Sequence, residues 1–174
     1  MYDANPFLTW RDVQEILVHT SRMNDPSDLS WNTNGAGHNV SHKYGFGAID
    51  AGAAVSLATN WTSLDQELNR TYGPFIENLS IPDGNSSWST FPITVSSQLS
   101  IESIDVIVDI DHTYRGDLDI ILESPYGTES WLAVSNGDSN NDYSDWQFNT
   151  VHHWGESSLG TVSYTHLRAH ETSH

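Results

Sequence analysis

No cysteine occurs in the 174 residues. That absence removes a disulfide framework, a thiolate nucleophile and any cysteine-based zinc site in one step. Positive charge is nearly as scarce: six Lys and Arg stand against 23 Asp and Glu, Lys43 is the single lysine, and the formal charge is −17. With no basic stripe to neutralise phosphates, nucleic acid and anionic membrane surfaces are poor partners, and cations or basic peptides fit better. No apolar run approaches the roughly 18 residues of a spanning helix, and the N-terminal MYDANPFLTW has neither the basic nor the apolar region of a secretory leader. No membrane span or signal peptide is read in the chain.

What is present begins with five N-x-S/T sequons, at Asn39, Asn60, Asn69, Asn78 and Asn85, four of them crowded into residues 60–87. Their density fits a glycosylated surface linker in a secreted protein. The length suits one ordinary domain or two small ones, and two textures are visible. In 9–18, apolar Val13, Ile16 and Leu17 follow Thr9, placed as an N-cap with Asp12 as capping-box partner, so a short amphipathic helix is expected. Residues 20–41 read as an irregular excursion broken by Pro26, Gly35 and Gly37. Asp50 is placed to cap an Ala-rich helix running to about Leu57. Residues 62–90, rich in Ser, Asn, Pro and Gly, read as the linker.

Beyond it the period becomes two. Ile104, Val106, Val108 and Ile110 alternate with Asp105 and Asp109, the pattern of a half-buried strand. Arg115-Gly116-Asp117 reads as a tight turn into a second strand, with Leu118, Ile120 and Leu122 inward and Asp119 and Glu123 outward, the pair forming a hairpin. Further strands are expected at 131–134 and across Trp146, Phe148, Val151 and Trp154. An antiparallel sandwich or jelly roll follows.

For chemistry, Gly45-Phe46-Gly47 lacks a third glycine and reads as a turn rather than a dinucleotide cradle. The carboxylates Asp105, Asp109, Asp111, Asp117 and Asp119 form either a solvated polar face or, with the loop of Asp138, Asn140, Asp142 and Asp145, an oxygen-rich candidate for Ca²⁺, although no EF-hand spacing occurs. His112, His152 and His153 read as packing or surface residues before metal ligands. Arg115-Gly116-Asp117 is a structural turn before it is an adhesion tripeptide. No G-x-S-x-G elbow or other nucleophile turn is found.

Two stretches carry a resemblance. NPFLTWRDVQEILVHTSR with SHKYGFGAIDAGAAVSLATNWT, in residues 5–62, resembles the C-terminal end of the catalytic domain of kexin-like subtilases, the calcium-dependent serine endoproteases that process proproteins. DIDHTYRGDLDIILESPYGTESWL with DWQFNTVHHWGE, in residues 101–160, resembles the P (Homo B) domain that follows it. The resemblance implies an α+β composite: residues 1–62 as the helical C-terminal part of a subtilisin-like α/β peptidase domain, 63–90 as glycosylated linker and start of the P domain, and 91–160 as an incomplete jelly-roll P domain. Residues 161–174 show no sustained strand period and are expected to be a non-native tail outside the fold.

In this family the catalytic Asp, His and Ser, the oxyanion-hole Asn, the carboxylates that read paired basic residues and the main calcium sites lie N-terminal to the first block. No residue of this chain is therefore assigned to the triad, and Met1 reads as an internal start. The resemblance implies Ca²⁺ in the parent enzyme, the rest of the peptidase domain as partner, with Tyr44, Phe46 and the Trp10 region as apolar contacts toward it, basic proproteins as substrates, and the secretory pathway, specifically the late Golgi, as location. The competing reading is a secreted, glycosylated β-sandwich binding module without catalysis.

Overall fold

The computed structural model describes residues 1–76, 80–81 and 88–169, with backbone alone over 164–169. It is mostly antiparallel sheet with two short helices, and it divides into two compact units: Met1–Thr33 with Gly37–Arg70, and Asn34–Ala36 with Thr71–His174.

In the first unit, helix α1 spans Trp10–Thr20. It begins where expected, because the Thr9 hydroxyl accepts from the Asp12 N–H while the Asp12 carboxylate accepts from the Thr9 N–H at 2.6 Å, a reciprocal capping box. Helix α2, Ala51–Ala58, starts where Asp50 accepts the Ala53 N–H at 2.9 Å. Ile16 of α1, Ala54 and Ala58 of α2, and Leu8 form the core, with Val13, Leu17 and Trp61 packed against them. The small side chains of α2 let its backbone approach its neighbours, and burial of the apolar face supplies the stability that helices this short lack alone. The 20–41 excursion is not wholly irregular: strands β1 (Asn32–Thr33) and β2 (Asn39–Val40) pair antiparallel within it.

The second unit contains β3 (Ser89–Val95), β4 (Ile104–Ile110), a 3-10 turn (Arg115–Asp117), β5 (Leu118–Glu123), β6 (Glu129–Ala133), β7 (Tyr143–Thr150) and β8 (Gly160–Ala169). A four-stranded sheet runs β3-β8-β5-β6, and a two-stranded sheet pairs β4 with β7. All pairs are antiparallel. Val108 and Tyr143 from the smaller sheet meet Leu118 and Ile120 from the larger one, so the core lies between two sheets as in a sandwich.

Three expectations are corrected here. The strands β4 and β5 do not form a hairpin; they lie in different sheets with their apolar faces meeting across the core. The strand β5 is buried from Leu118 through Leu122, so Asp119 is buried rather than outward. Sequence alternation cannot distinguish a strand covered on one face from one whose polar position is sequestered by a hydrogen bond. Residues 161–169, expected to lie outside the fold, form most of β8, which pairs with β3 on one side and β5 on the other. A strand held by ladders on both sides draws its order from backbone pairing, so a weak side-chain period does not forbid it.

Candidate functional site

The Arg115-Gly116-Asp117 turn is a clasp. Arg115 N–H donates to the Asn140 carbonyl at 2.8 Å, Gly116 N–H to the Asp138 carbonyl at 3.1 Å, and Asn136 N–H returns a bond to the Gly116 carbonyl at 2.6 Å. The Arg115 side chain bonds the Asp138 carboxylate at 2.8 Å, with its guanidinium 4.8 Å from the centre of the Trp146 ring. A β-carbon on Gly116 would lie 2.4 Å from the Asp138 carbonyl oxygen, so no other residue fits between these strands of chain. Asp117 is buried. The structural reading of the turn fits this geometry, whereas adhesion through the tripeptide needs that carboxylate at the surface.

In the loop proposed for calcium, Asp138 and Asp142 already accept hydrogen bonds on both carboxylate oxygens. Asp138 takes the Asn140 N–H on one oxygen and Arg115 on the other, and these two hold its carboxyl below the usual range, the Asn140 N–H first. Asp142 caps the turn at His112, accepting its N–H at 2.7 Å, and takes the Asn141 amide on its second oxygen. The Asp145 N–H donates to Asp109 at 2.7 Å. Asp142 and Asp145 both sit at positive φ, 48° and 47°, where Asp is among the few non-glycine residues tolerated. Among the described residues no three His, Asp or Glu side chains form a group able to hold a metal ion. Of the strand carboxylates, Asp105, Asp109 and Asp111 face solvent, as the polar-face reading expects of several of them, while Asp117 and Asp119 are buried; Asp119 accepts the Ser135 N–H at 2.7 Å.

One buried polar cluster in the second unit was not anticipated. Residues Asn34–Ala36 belong to this unit. The Asn34 side-chain amide donates to the carbonyls of His152 at 3.0 Å and Trp154 at 2.9 Å. Gly35 N–H donates to Glu156 Oε1 at 2.7 Å, and the Thr128 hydroxyl donates to the same oxygen. A β-carbon on Gly35 would come within 2.5 Å of the Tyr126 β-carbon. Burial pushes the Glu156 carboxyl up, but His153, Thr128, Ser124 and the Gly35 N–H together outweigh it and bring it down to about 2. These partners lie about 120 residues apart in sequence, as the Asn34 contact to Trp154 shows, and no local motif marks them. His152 and His153 occupy a turn rather than a strand, and His153 is fully enclosed.

Of the sequons, Asn39, Asn60 and Asn69 are exposed, the Asn39 side-chain oxygen accepting from Thr33 at 3.0 Å. Asn78 and Asn85 lie outside the described residues. Trp10 is 61% exposed. Tyr44 stacks on Trp31 and reaches Asp28 through its hydroxyl, and Phe46 meets His38 edge to face.

The second unit is a two-sheet antiparallel sandwich, and comparison specifies which. Residues 101–163 match the proprotein convertase P-domain family. The chain is 38% identical over 165 residues to a PC3-like endoprotease (variant B) of Hydra vulgaris, covering 91% of this chain and 23% of that protein. It is 40% identical over 166 residues to human proprotein convertase subtilisin/kexin type 6, covering 91% and 17% respectively. The fold is similar to that of a serine protease of Aeromonas sobria crystallised with its chaperone, at a TM-score of 0.83 and 25% identity, over 97% of this chain and 34% of that one. Residues 101–163 thus carry a proprotein convertase P domain, and the chain is similar to kexin-like convertases over 91% of its length while spanning less than a quarter of these two relatives.

Proposed function

We propose that the chain is a supporting segment of a calcium-dependent serine endopeptidase that processes proproteins after paired basic residues. In this reading residues 1–62 are the C-terminal end of the subtilisin-like catalytic domain and the sandwich is its P domain. One observation carries it: the similarity to convertases extends over 91% of the chain, well beyond the 101–163 block, which supports reading the helical first unit as part of the same parent protein. The catalytic triad, the carboxylates that read basic residues and the calcium sites then belong to parts of the enzyme beyond this chain, in which Asp138 and Asp142 are engaged in hydrogen bonds within their own loop and turn. The rest of the peptidase domain is its partner. The exposed sequons at Asn39, Asn60 and Asn69 suit glycosylation in the secretory pathway, with the late Golgi as the site of action.

Two experiments test this. The purified chain, given a fluorogenic peptide ending in Lys-Arg with and without Ca²⁺ and an active-site serine titrant, is expected to show no turnover and no labelling; titratable turnover would mean a nucleophile within these residues. Replacing the matching segment of the human type 6 convertase with this chain is expected to preserve calcium-dependent cleavage. A folded, secreted chimera without activity would favour the non-catalytic binding module.

A further inference from the structure

Within the second unit, His153 and Glu156 are 0% and 1% exposed. They face each other across one turn, with His153 Nδ1 3.7 Å from Glu156 Oε2. That separation is too long for a direct hydrogen bond. Among the described residues, neither Oε2 nor either ring nitrogen of His153 has a partner within hydrogen-bond distance, and each has essentially no contact with solvent. Buried polar atoms in folded proteins are satisfied by protein groups or by ordered water.

The gap is held from both ends. Glu156 Oε1 is tied to Gly35 N–H and to Thr128, and the Glu156 N–H donates to the His153 carbonyl at 3.0 Å. We propose that an internal water molecule sits beside His153 Nδ1 and Glu156 Oε2 and is a fixed structural part of the pocket that holds residues 34–36. At ordinary distances of about 2.8 Å from each atom, it lies roughly 2 Å off the line joining them. An ionised carboxylate accepts only, so the water donates to Oε2, and it bonds Nδ1 as donor or acceptor according to the tautomer. A divalent cation is the poorer occupant: it needs four or more ligands, and among the described residues no three His, Asp or Glu side chains are grouped to hold one. The water extends the grip on Gly35 by fixing the orientation of the carboxylate whose other oxygen receives that N–H.

The test uses the whole chain. A crystal structure at a resolution that shows ordered solvent is expected to place a water within about 3.2 Å of both atoms. In solution, the Glu156 and Gly35 amides are expected to show direct dipolar cross-peaks to a long-lived water. A direct contact between Nδ1 and Oε2 with no density beside it overturns the proposal, as does an anomalous signal from a metal at that point. His153→Leu removes one of the two partners, and the water cross-peak is expected to disappear while cooperative unfolding persists. A cross-peak that survives in that variant also overturns the proposal. Should the variant not fold, the wild-type crystal decides alone.

Discussion

Asp12 in the first unit and Glu156 in the second are both enclosed carboxylates that hold backbone amides, and they are built in opposite ways. Asp12 accepts on both oxygens: from the Thr9 N–H and hydroxyl on one, and from the Leu64 N–H and the Trp61 indole on the other. Glu156 is loaded on Oε1, while Oε2 has no hydrogen-bond partner among the described residues. Burial raises both carboxyls and the donors lower them further. The Asp12 carboxyl ends far below the carboxylate range, and Glu156 ends at about 2. The difference teaches that what keeps a charge inside a small protein is the number of donors aimed at it, with depth of burial opposing them.

The comparison breaks most visibly at Asp12. Asp12→Ala leaves the Leu64 and Thr9 N–H groups and the Trp61 indole without their acceptor, and is expected to destabilise the first unit by about 4 kcal/mol. Urea unfolding followed by tryptophan fluorescence measures it. A loss smaller than that of Glu156→Ala would show that saturation does not separate the two sites.

Acid sharpens the comparison next. The Glu156 carboxyl is depressed from 4.5 in the reference state to about 2 in the fold. Its stabilisation is therefore complete above the unfolded value and is lost as the pH falls through the folded one. A shift of that size corresponds to roughly 3 kcal/mol. Unfolding curves collected from pH 5 down to pH 2 should show this loss in wild type, and Glu156→Gln should flatten that part of the profile. An unchanged profile would remove Glu156 from the account.

Gly35→Ala, which forces a β-carbon against Tyr126, is expected to cost about 2 kcal/mol and to weaken protection of the residue-35 amide in hydrogen exchange. The smallest effect is at the other site: Thr9→Ala removes one cap and should cost about 1 kcal/mol, with helix α1 fraying at its start in amide exchange while Asp12 retains its bonds to Leu64 and Trp61.

Much of the fold was legible wherever partners are close in sequence. Thr9 and Asp12 are three residues apart, Asp50 caps three residues ahead, and Ile104 to Ile110 alternate in the open, so both helices and β4 could be read directly. Partnerships across long separations could not. The assumption that consecutive strands pair put β4 beside β5, although a turn clamped to residues 136–140 sends β5 into the other sheet. Asp119 reads as a solvent residue because nothing local shows that Ser135 will cover it. The Asn34, Gly35 and Glu156 cluster leaves no trace in composition, since each residue type is common and their meeting exists only in the folded chain. By contrast the Arg115-Gly116-Asp117 turn was readable as a structural device, although its clasp on Asp138 was not.

The position of β8 sets an order of events during synthesis. The strand β3 has β8 as its sheet neighbour, and β5 has β8 on one side, so both must wait for residues 160–169 to leave the ribosome before their ladders close. The first unit faces no such delay, because α1 and α2 pack within its own chain segment. A nascent chain paused before residue 160 therefore presents unpaired strand edges at β3 and β5.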